Sequence, residues 1–302
     1  MTLHLAPPRQ LGTTVFATLP DRYRKNQTNE WSDANQGGKA ADSFLEGPVC
    51  DAAGNLFVAD IPFGRIFRID RHGEWSLLVE YDGWPNGLAM KEDGTLLICD
   101  YRKGLLSLDP GKPEIIPVLA RRHSESFKGL NDLCIARDGT VYFTDQGQTG
   151  MHDPTGRVFR LAGDGRLDCL LSNMPSPNGI ALSQDEKTLF VAATRANSVW
   201  RVPLMPDGSV AKVGVFCNTF GPGGPDGLCL DESDNLMVAH VGLGHIFVFS
   251  PRGELTHALA SATGANTTNI ALGPARGGGS PRLLYITEAQ SGTVLAAPWP
   301  GN

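Results

Sequence analysis

Residues 177–182 read Pro-Asn-Gly-Ile-Ala-Leu, and five other stretches of the chain repeat this pattern of an oxygen-bearing polar residue followed closely by apolar residues. Successive copies begin 40 to 48 residues apart, near the period of about 40–45 residues that is typical of four-stranded propeller blades. The repeat therefore predicts an all-β, six-bladed β-propeller in which each blade brings one polar side chain to a common axis. The residues that open the six copies are Glu46, Asn86, Asn131, Asn178, Asp226 and Thr268.

Within each repeat the pattern is that of a hairpin. An apolar run is followed by a turn, such as Asp93-Gly-Thr95 or Asp138-Gly-Thr140, and then by a strand rich in branched and aromatic residues. No long 3.6-residue period is present, so no long helix is predicted. The predicted second strands are 56–60, 96–100, 141–145, 189–193 and 236–240, and the predicted third strands are 65–69, 104–108, 157–161, 198–202 and 245–249.

The two ends of the chain are predicted to meet. Residues 13–19 have strand composition but precede the first repeat, whereas the last repeat ends one strand short of a complete blade. An amino-terminal strand at 13–19 would complete the sixth blade and remove two exposed sheet edges. We therefore interpret residues 1–302 as a single propeller domain.

Residues 21–41 are polar and have no period, so they are predicted to form a long loop. Loops of this length are commonly functional or mobile. The segment could be a lid over the axial mouth, with Trp31 or Tyr23 in contact with a ligand. A solvated excursion without a role is the alternative.

Composition excludes several classes of partner. The 26 Lys and Arg residues against 32 Asp and Glu give a net charge of −6, which provides no electrostatic footprint for nucleic acid or an anionic membrane. The amino terminus lacks a secretory pattern and no stretch has the length of a spanning helix, so a cytoplasmic location is expected. The six cysteines form no CxxC pair and are interpreted as reduced, buried thiols.

The predicted axial ring has the chemistry of a cation site. It combines two carboxylates, Glu46 and Asp226, with three amides and one hydroxyl. Burying two carboxylates together is costly, and a hard divalent cation would offset that cost while the amides add neutral oxygen ligands. Asn-Gly and Asp-Gly pairs are also common turn formers. Glu46 is a poor turn residue in the same register, which favours the ligand interpretation.

A second set of polar residues is predicted to return to the same end of the axis, fourteen positions after each axial residue. These residues could surround and orient the axial ring, or they could simply cap the turns between strands. The set consists of Asp60, Asp100, Asp145, His240 and, near the equivalent place, Glu288.

The repeats resemble those of the SMP-30, gluconolactonase and luciferin-regenerating-enzyme family of six-bladed propellers, over roughly residues 44 to 299. The resemblance implies that Glu46, Asn178 and Asp226 hold one divalent metal ion, that Asn131 contacts the substrate, and that Asp226 also transfers the proton. It rests on Phe44-Leu-Glu-Gly-Pro48, Gly129-Leu-Asn-Asp-Leu133, Pro177-Asn-Gly-Ile180 and Pro225-Asp-Gly-Leu228.

The function implied by the resemblance is hydrolysis of a lactone, a small-molecule cyclic ester. Metal coordination lowers the basicity of a carboxylate, so Asp145 or His240 is an alternative base to Asp226. Oxygen ligands make calcium the first candidate ion, with magnesium, manganese, zinc and iron as alternatives. Members that act on sugar lactones often carry an arginine two residues before the third-repeat Asn, where this chain has Gly129.

Two other functions stay open at this stage. A related six-bladed fold hydrolyses phosphorus esters with a similar calcium set, so a calcium-dependent phosphotriesterase-like hydrolase is one alternative. A non-enzymatic propeller that binds proteins is the other, although two carboxylates in the axial ring speak against it. The sequence does not indicate an oligomeric state.

Overall fold

The computed structural model describes residues 7–275 and 280–299, which form six β-sheets around one axis. The innermost strands of successive sheets lie side by side in chain order, and the innermost strand of the sixth sheet returns to that of the first. A closed ring of six sheets is a six-bladed β-propeller, so the fold predicted from the repeat is confirmed. No helix in these two ranges is long and apolar enough to cross a membrane.

The chain begins with elements that precede the first blade. They are β1 (Arg9–Gly12), β2 (Thr14–Thr18), a 3-10 turn at Asp21–Tyr23 and the short helix α1 (Glu30–Gln36).

Blades 1 to 4 each have four strands, which run outward from the axis in chain order. They are β3 (Leu45–Cys50), β4 (Leu56–Asp60), β5 (Arg65–Ile69) and β6 (Trp75–Glu80) in blade 1, and β7 (Pro85–Met90), β8 (Leu96–Asp100), β9 (Gly104–Asp109) and β10 (Lys112–Leu119) in blade 2. A small hairpin of β11 (Arg121–Arg122) and β12 (Glu125–Ser126) follows. Blade 3 has β13 (Leu130–Ile135), β14 (Val141–Asp145), β15 (Gly156–Leu161) and β16 (Leu167–Met174), and blade 4 has β17 (Pro177–Leu182), β18 (Thr188–Ala193), β19 (Ser198–Pro203) and β20 (Gly214–Asn218).

Each of the last two blades includes one strand from the amino-terminal segment. Strand β1 lies parallel to β24 and widens blade 5, and β2 pairs antiparallel with β27 as the fourth strand of blade 6. Strand β2 lies within the closing strand 13–19 expected from the sequence, whereas β1 was not anticipated. Blade 5 has β21 (Gly224–Leu230), β22 (Leu236–Val241), β23 (His245–Phe249) and β24 (Leu255–Ala260), and blade 6 has β25 (Thr267–Leu272), β26 (Arg282–Glu288) and β27 (Thr293–Trp299).

The core lies between the blades, where the second strand of each is sandwiched by its neighbours. Ile98, Phe143, Val191 and Val238 are on these strands and are fully buried. Strands covered on both faces have near-continuous apolar sequence, which is why their positions could be predicted closely. The outer strands are half-exposed and less regular; β10, with two prolines, was not predicted.

The segment 21–41 differs from the predicted loop because it contains α1. Asn29 caps this helix, since its side chain accepts a hydrogen bond from the Ser32 amide while the Ser32 hydroxyl accepts one from the Asn29 amide. Gly37 ends the helix with a φ of 62°, a left-handed conformation that glycine adopts without strain. A helix of 7 residues is too short to establish a visible period.

Candidate active site

A cavity of about 380 Å³ opens at one end of the propeller axis. Its floor is formed at the starts of the innermost strands, which the closed ring brings together although they are far apart in sequence. Five of the six axial residues predicted from the repeat line this cavity. They are Glu46, Asn86, Asn131, Asn178 and Asp226.

Thr268, the sixth, does not line the cavity. Its hydroxyl is fully buried and lies 2.8 Å from the Leu45 carbonyl oxygen and 2.9 Å from the Thr287 hydroxyl. These contacts hold blade 6 against blade 1. The prediction that Thr268 completes the axial ring is therefore wrong, because a short hydroxyl at this place is satisfied by the neighbouring strands.

The ionised forms of the two floor carboxylates are disfavoured by burial and by neighbouring negative charge. Burial and then the charge of Asp226 raise the pKa of Glu46 well above its usual range, although the Gly47 amide donates a hydrogen bond to Glu46 Oε2 at 2.9 Å. Burial and then the charge of Asp132 raise the pKa of Asp226 to about 8, against the opposing effects of Arg195 and the Asn178 amide. Two buried like charges of this kind call for a counter-ion.

Two oxygen atoms of the floor lack any partner. Asp226 Oδ1 and Asn86 Oδ1 are both buried without a hydrogen bond, an arrangement that proteins avoid unless an ion, a water molecule or a ligand satisfies the atoms. In the described part of the chain, no three His, Cys, Asp or Glu side chains cluster as a metal site. A cation at the axis would therefore need the amide oxygens as well, and the mixed set of carboxylates and amides fits a hard divalent ion.

A second polar layer lies beneath the floor. Asp132 and Asn269 stand where the other four repeats have glycine, and Asn269 Nδ2 donates a hydrogen bond to Asp132 Oδ2 at 3.4 Å. Burial raises the pKa of Asp132 to about 6. A Cβ at Gly87 would overlap Asp132 Oδ1 and one at Gly227 would overlap Asn269 Oδ1, so these two glycines make room for the pair. The two departures from the glycine register were visible in the sequence, but their roles were not inferred.

The Asn131 amide is held in one orientation by its neighbours. Its Nδ2 donates to Gln146 Oε1 at 3.0 Å, and Gln146 Nε2 donates to Ser176 Oγ at 3.0 Å. All three side chains line the cavity. Asn131 is thus fixed by a short hydrogen-bonded chain, as a group that contacts a ligand should be.

The five polar residues that return to this end of the axis do not line the cavity. Asp60 accepts a hydrogen bond from the Phe44 amide at 2.7 Å, and Asp145 accepts one from the Gly129 amide at 2.8 Å. Glu288 likewise accepts one from the Asn266 amide at 3.0 Å. Each of these three carboxylates holds the backbone two residues before an axial position, as the turn-capping alternative expects, whereas both ring nitrogens of His240 are buried without a hydrogen bond to any described residue.

The alternative bases are excluded by their positions. Asp145 is engaged by Arg157 Nε at 2.6 Å as well as by its backbone contact, and it lies outside the cavity lining. His240 is fully buried away from the lining, and burial lowers its pKa. The prediction that either residue could act as base is therefore wrong.

Aromatic and aliphatic side chains form one wall of the cavity. Trp31, from α1, packs its ring 4.9 Å from that of Phe44, and Trp84 lies 5.6 Å from Tyr101 between ring centroids. The segment 21–41 therefore contributes directly to the cavity through Trp31. Tyr23 does not, because it packs against Phe67 in the core instead.

Tyr101 also explains the glycine at position 129. Gly129 has a φ of 151°, and a Cβ there would overlap the Tyr101 ring. Gln148 Nε2 donates to the Tyr101 hydroxyl at 3.3 Å and helps to hold the ring in place. The ring of Tyr101, which follows a strand of blade 2, thus occupies the space next to Gly129. A residue with a side chain at position 129 would displace Tyr101.

Arg195 is the charged residue of the cavity lining that the sequence analysis did not predict. It follows β18 in a 3-10 turn at Thr194–Ala196, at the exposed rim of the cavity. No motif marked it, since its position depends on a turn between strands.

The sequence matches the profile of the SMP-30/gluconolactonase/LRE-like region across residues 44–290. The chain belongs to this family. One relative is the lactonase drp35 of Staphylococcus aureus strain MW2. It is 33% identical to this chain over 224 residues, which cover 69% of this chain and 67% of that protein.

Solved structures related to this family share the fold. A gluconolactonase of Xanthomonas campestris superimposes with a TM-score of 0.75 at 22% identity, covering 98% of both chains. A calcium-binding protein, regucalcin, of Agrobacterium tumefaciens superimposes with a TM-score of 0.73 at 22% identity, covering 97% of this chain and 95% of that one.

Proposed function

We propose that this protein hydrolyses a lactone in the axial cavity, with one divalent cation held by Glu46, Asn178 and Asp226. The observation that carries the proposal is the buried carboxylate pair together with the unpartnered Asp226 Oδ1. A cation there would relieve the repulsion and satisfy the oxygen. Asn86 Oδ1, which also lacks a hydrogen-bond partner among the described residues, is a further oxygen ligand available to the cation in the same cavity.

The relatives support this choice of reaction. The drp35 relative, 33% identical over 69% of this chain, is a lactonase, and a propeller of the same fold is a gluconolactonase. The regucalcin neighbour is a calcium-binding protein, and an all-oxygen donor set suits calcium first, with magnesium and manganese next and zinc or iron as alternatives. When bound, the cation would polarise the lactone carbonyl and offset the charge that develops on its oxygen.

The residues of the chain then have distinct tasks. Asp226, in its ionised form, takes a proton from the attacking water as the new bond between water oxygen and carbonyl carbon forms. The bond between that carbon and the ring oxygen breaks, and the same proton passes from Asp226 to the departing ring oxygen. Asn131 Nδ2, held by Gln146, donates a hydrogen bond to the substrate. The product is an open hydroxy acid.

The segment 21–41 is the proposed lid of this site. Its Trp31, Asn35 and Gln36 border the cavity, and Asn29 Nδ2 donates to the Pro62 carbonyl at 2.8 Å to hold the segment on blade 1. A hydrolytic site benefits from controlled access of water. We further propose that the whole chain acts as one domain with a small-molecule substrate, without nucleic acid or a membrane.

Elemental analysis followed by a pH-stat assay tests the function. The purified protein is analysed for bound metal, stripped with chelator, and assayed on a panel of aliphatic, aromatic and sugar lactones after return of Ca²⁺, Mg²⁺, Mn²⁺, Zn²⁺ or Fe²⁺. Acid release that disappears on stripping and returns with one ion supports the proposal. Rates unchanged by stripping would overturn it, and hydrolysis of a phosphotriester in place of every lactone would favour the phosphotriesterase-like alternative.

A further inference from the structure

Arg195 is the one Lys or Arg side chain among the described residues that line the cavity. Within the described residues Arg195 forms no hydrogen bond or salt bridge, and its positive charge opposes the rise in the pKa of Asp226 that burial causes. A guanidinium with five donors and no fixed partner, at the entrance of a concave site, is available to bind an anionic group.

The backbone below Arg195 is fixed relative to the floor. The Thr194 hydroxyl donates to the Pro225 carbonyl oxygen at 2.8 Å, so the 3-10 turn is tied to the residue that precedes Asp226. At the end of the turn, the Asn197 backbone amide donates a hydrogen bond to the Thr194 carbonyl oxygen at 3.2 Å. Arg195 therefore extends from a rigid support beside the site, and only its side chain must be ordered by a ligand.

The charge balance of the cavity also favours an anion. Its charged lining residues are Glu46, Asp226 and Arg195. A divalent cation would offset the two lining carboxylates, and the third carboxylate, Asp132, is buried beneath the floor, so Arg195 is the charged lining side chain that an anionic group could reach. A carboxylate accepts two parallel hydrogen bonds from a guanidinium, which gives both energy and orientation.

The opposite side of the cavity includes an apolar surface. Because the inner strands contact one another in chain order around the ring, blade 1 lies across the axis from blade 4, which carries Arg195. The blade 1 side presents Trp31, Phe44 and Ile61. Such a wall suits the body of a hydrocarbon or aryl lactone better than a ring covered with hydroxyl groups.

We propose that Arg195 determines specificity for lactones that carry an ionised carboxylate outside the ring, on an apolar body that rests against Trp31 and Phe44. The proposal depends on the lactonase function above. The substituent carboxylate takes no part in the reaction: water adds to the ring carbonyl, the acyl–oxygen bond of the ring breaks, and the released oxygen is protonated. The product carries one more carboxylate than the substrate.

The test compares two substrates that differ in this one group, phthalide-3-carboxylate and phthalide-3-carboxamide, with the metal-loaded full-length protein. The wild type is expected to prefer the carboxylate in kcat/KM. In R195Q the carboxylate-to-carboxamide ratio should fall by roughly 10- to 100-fold, mainly through KM, as expected for loss of a charge-assisted hydrogen bond. R195K should retain part of the preference because it keeps the charge but not the paired geometry.

K128Q is the matched control. It removes the same charge from the same face, yet Lys128 lies outside the cavity lining and its Nζ donates to the Thr155 hydroxyl at 2.7 Å. The ratio should be unchanged in K128Q. A ratio near one in the wild type, or an equal fall in R195Q and K128Q, would overturn the assignment. Equal losses on both substrates in R195Q would overturn it too, whereas absence of turnover on every lactone would instead refute the proposed function.

Discussion

Asn269 and Asp132 join opposite sides of the propeller, since the amide Nδ2 of blade 6 donates to the carboxylate Oδ2 of blade 3 at 3.4 Å. Blades 3 and 6 face each other across a ring of six. The pair therefore spans the centre of the ring close to Glu46 and Asp226, and Asp132 adds a third negative charge to their surroundings.

The first prediction concerns this added charge. D132N should weaken binding of the divalent cation by about tenfold, because a neutral group replaces a carboxylate that raises the negative potential at the floor. Calorimetric titration of the stripped protein would measure it. E114Q removes an exposed carboxylate on the outer strand of blade 2 and should leave the affinity unchanged. Equal affinities for D132N and the wild type would show that Asp132 does not contribute to the potential.

The second prediction addresses the two floor carboxylates. E46A and D226A should each abolish turnover and also abolish the rise in melting temperature that the cation causes, while circular dichroism stays that of a folded propeller. The wild type should gain about 2.7 kcal/mol when the ion is present at 100 times its dissociation constant. Q36A, at the rim of the same cavity, serves as the control. Normal activity in either floor variant would refute the site.

The third prediction is a pH dependence of stability without metal. Asp226 has a pKa raised to about 8 by burial, against about 3.9 for an unfolded Asp. Between these values the folded state binds the extra proton, so the free energy of unfolding should decrease as pH rises, by up to about 1.4 kcal/mol per pH unit for this group.

Glu46 acts in the same direction. Urea denaturation of stripped protein at pH 5, 6, 7 and 8 measures the slope. Saturating cation should remove the part due to Glu46 and Asp226, because these carboxylates are then ionised in the folded state, whereas Asp60 and Asp132, whose pKa values burial raises to about 6, still contribute near pH 5 to 6. A stability that rises with pH over this range in the stripped protein would contradict the assignment.

The fourth prediction concerns the ion pair of Asp60 and Arg65. Arg65 Nε donates to Asp60 Oδ2 at 2.8 Å and Nη1 donates to the Tyr23 carbonyl at 2.7 Å, and both charged side chains are at most 1% exposed. D60A should cost about 3–5 kcal/mol of unfolding free energy, because a buried guanidinium loses its counter-charge.

Denaturant unfolding of D60A, and of E114A as an exposed comparison, would check this. The Lys112–Glu114 pair is at the surface, with side chains 82% and 69% exposed, and its loss should change stability by at most about 1 kcal/mol. The double variant D60L/R65M should recover much of the loss. A cost for D60A as small as that for E114A would show that Arg65 finds another partner.

The fifth prediction tests the glycine register. G87A should destabilise the protein by roughly 1–3 kcal/mol or more, because the new methyl group would overlap Asp132 Oδ1 and lie 2.6 Å from its Cα. G214A, where a Cβ would meet nothing within 4 Å, is the control and should be neutral. Thermal denaturation of the two variants measures the effect. An unchanged melting temperature in G87A would mean that the packing of Gly87 against Asp132 can relax to accept a methyl group.

The sequence predicted what repetition and burial determine. The second and third strands of blades 1 to 5 are covered by neighbours and keep their apolar pattern, so their limits were predicted to within about one residue; β4 and β5, for example, match the predicted 56–60 and 65–69. The convergence of Glu46, Asn131, Asn178 and Asp226 on one cavity follows from the same register.

What the sequence did not yield depends on tertiary contacts. Thr268 occupies the right register but satisfies its hydroxyl on a neighbouring blade, and Arg195 reaches the cavity only because a short turn is tied to blade 5. Asp145 and His240 return to the correct end of the axis, yet their side chains face the loops and the core. The register of the repeat predicts where a residue lies along the axis. The direction in which its side chain points depends on the residues packed around it.

Strand β2 has consequences for how the molecule is made. Its partner β27 begins at Thr293, so β2, near the start of the sequence, has no strand to pair with until β27 has left the ribosome. Blades 1 to 4 can form hairpin by hairpin during synthesis, but blade 6 lacks its fourth strand and the ring is not closed until β27 has emerged and pairs with β2. A stalled or truncated chain would thus be a C-shaped intermediate whose free edges invite pairing with other molecules.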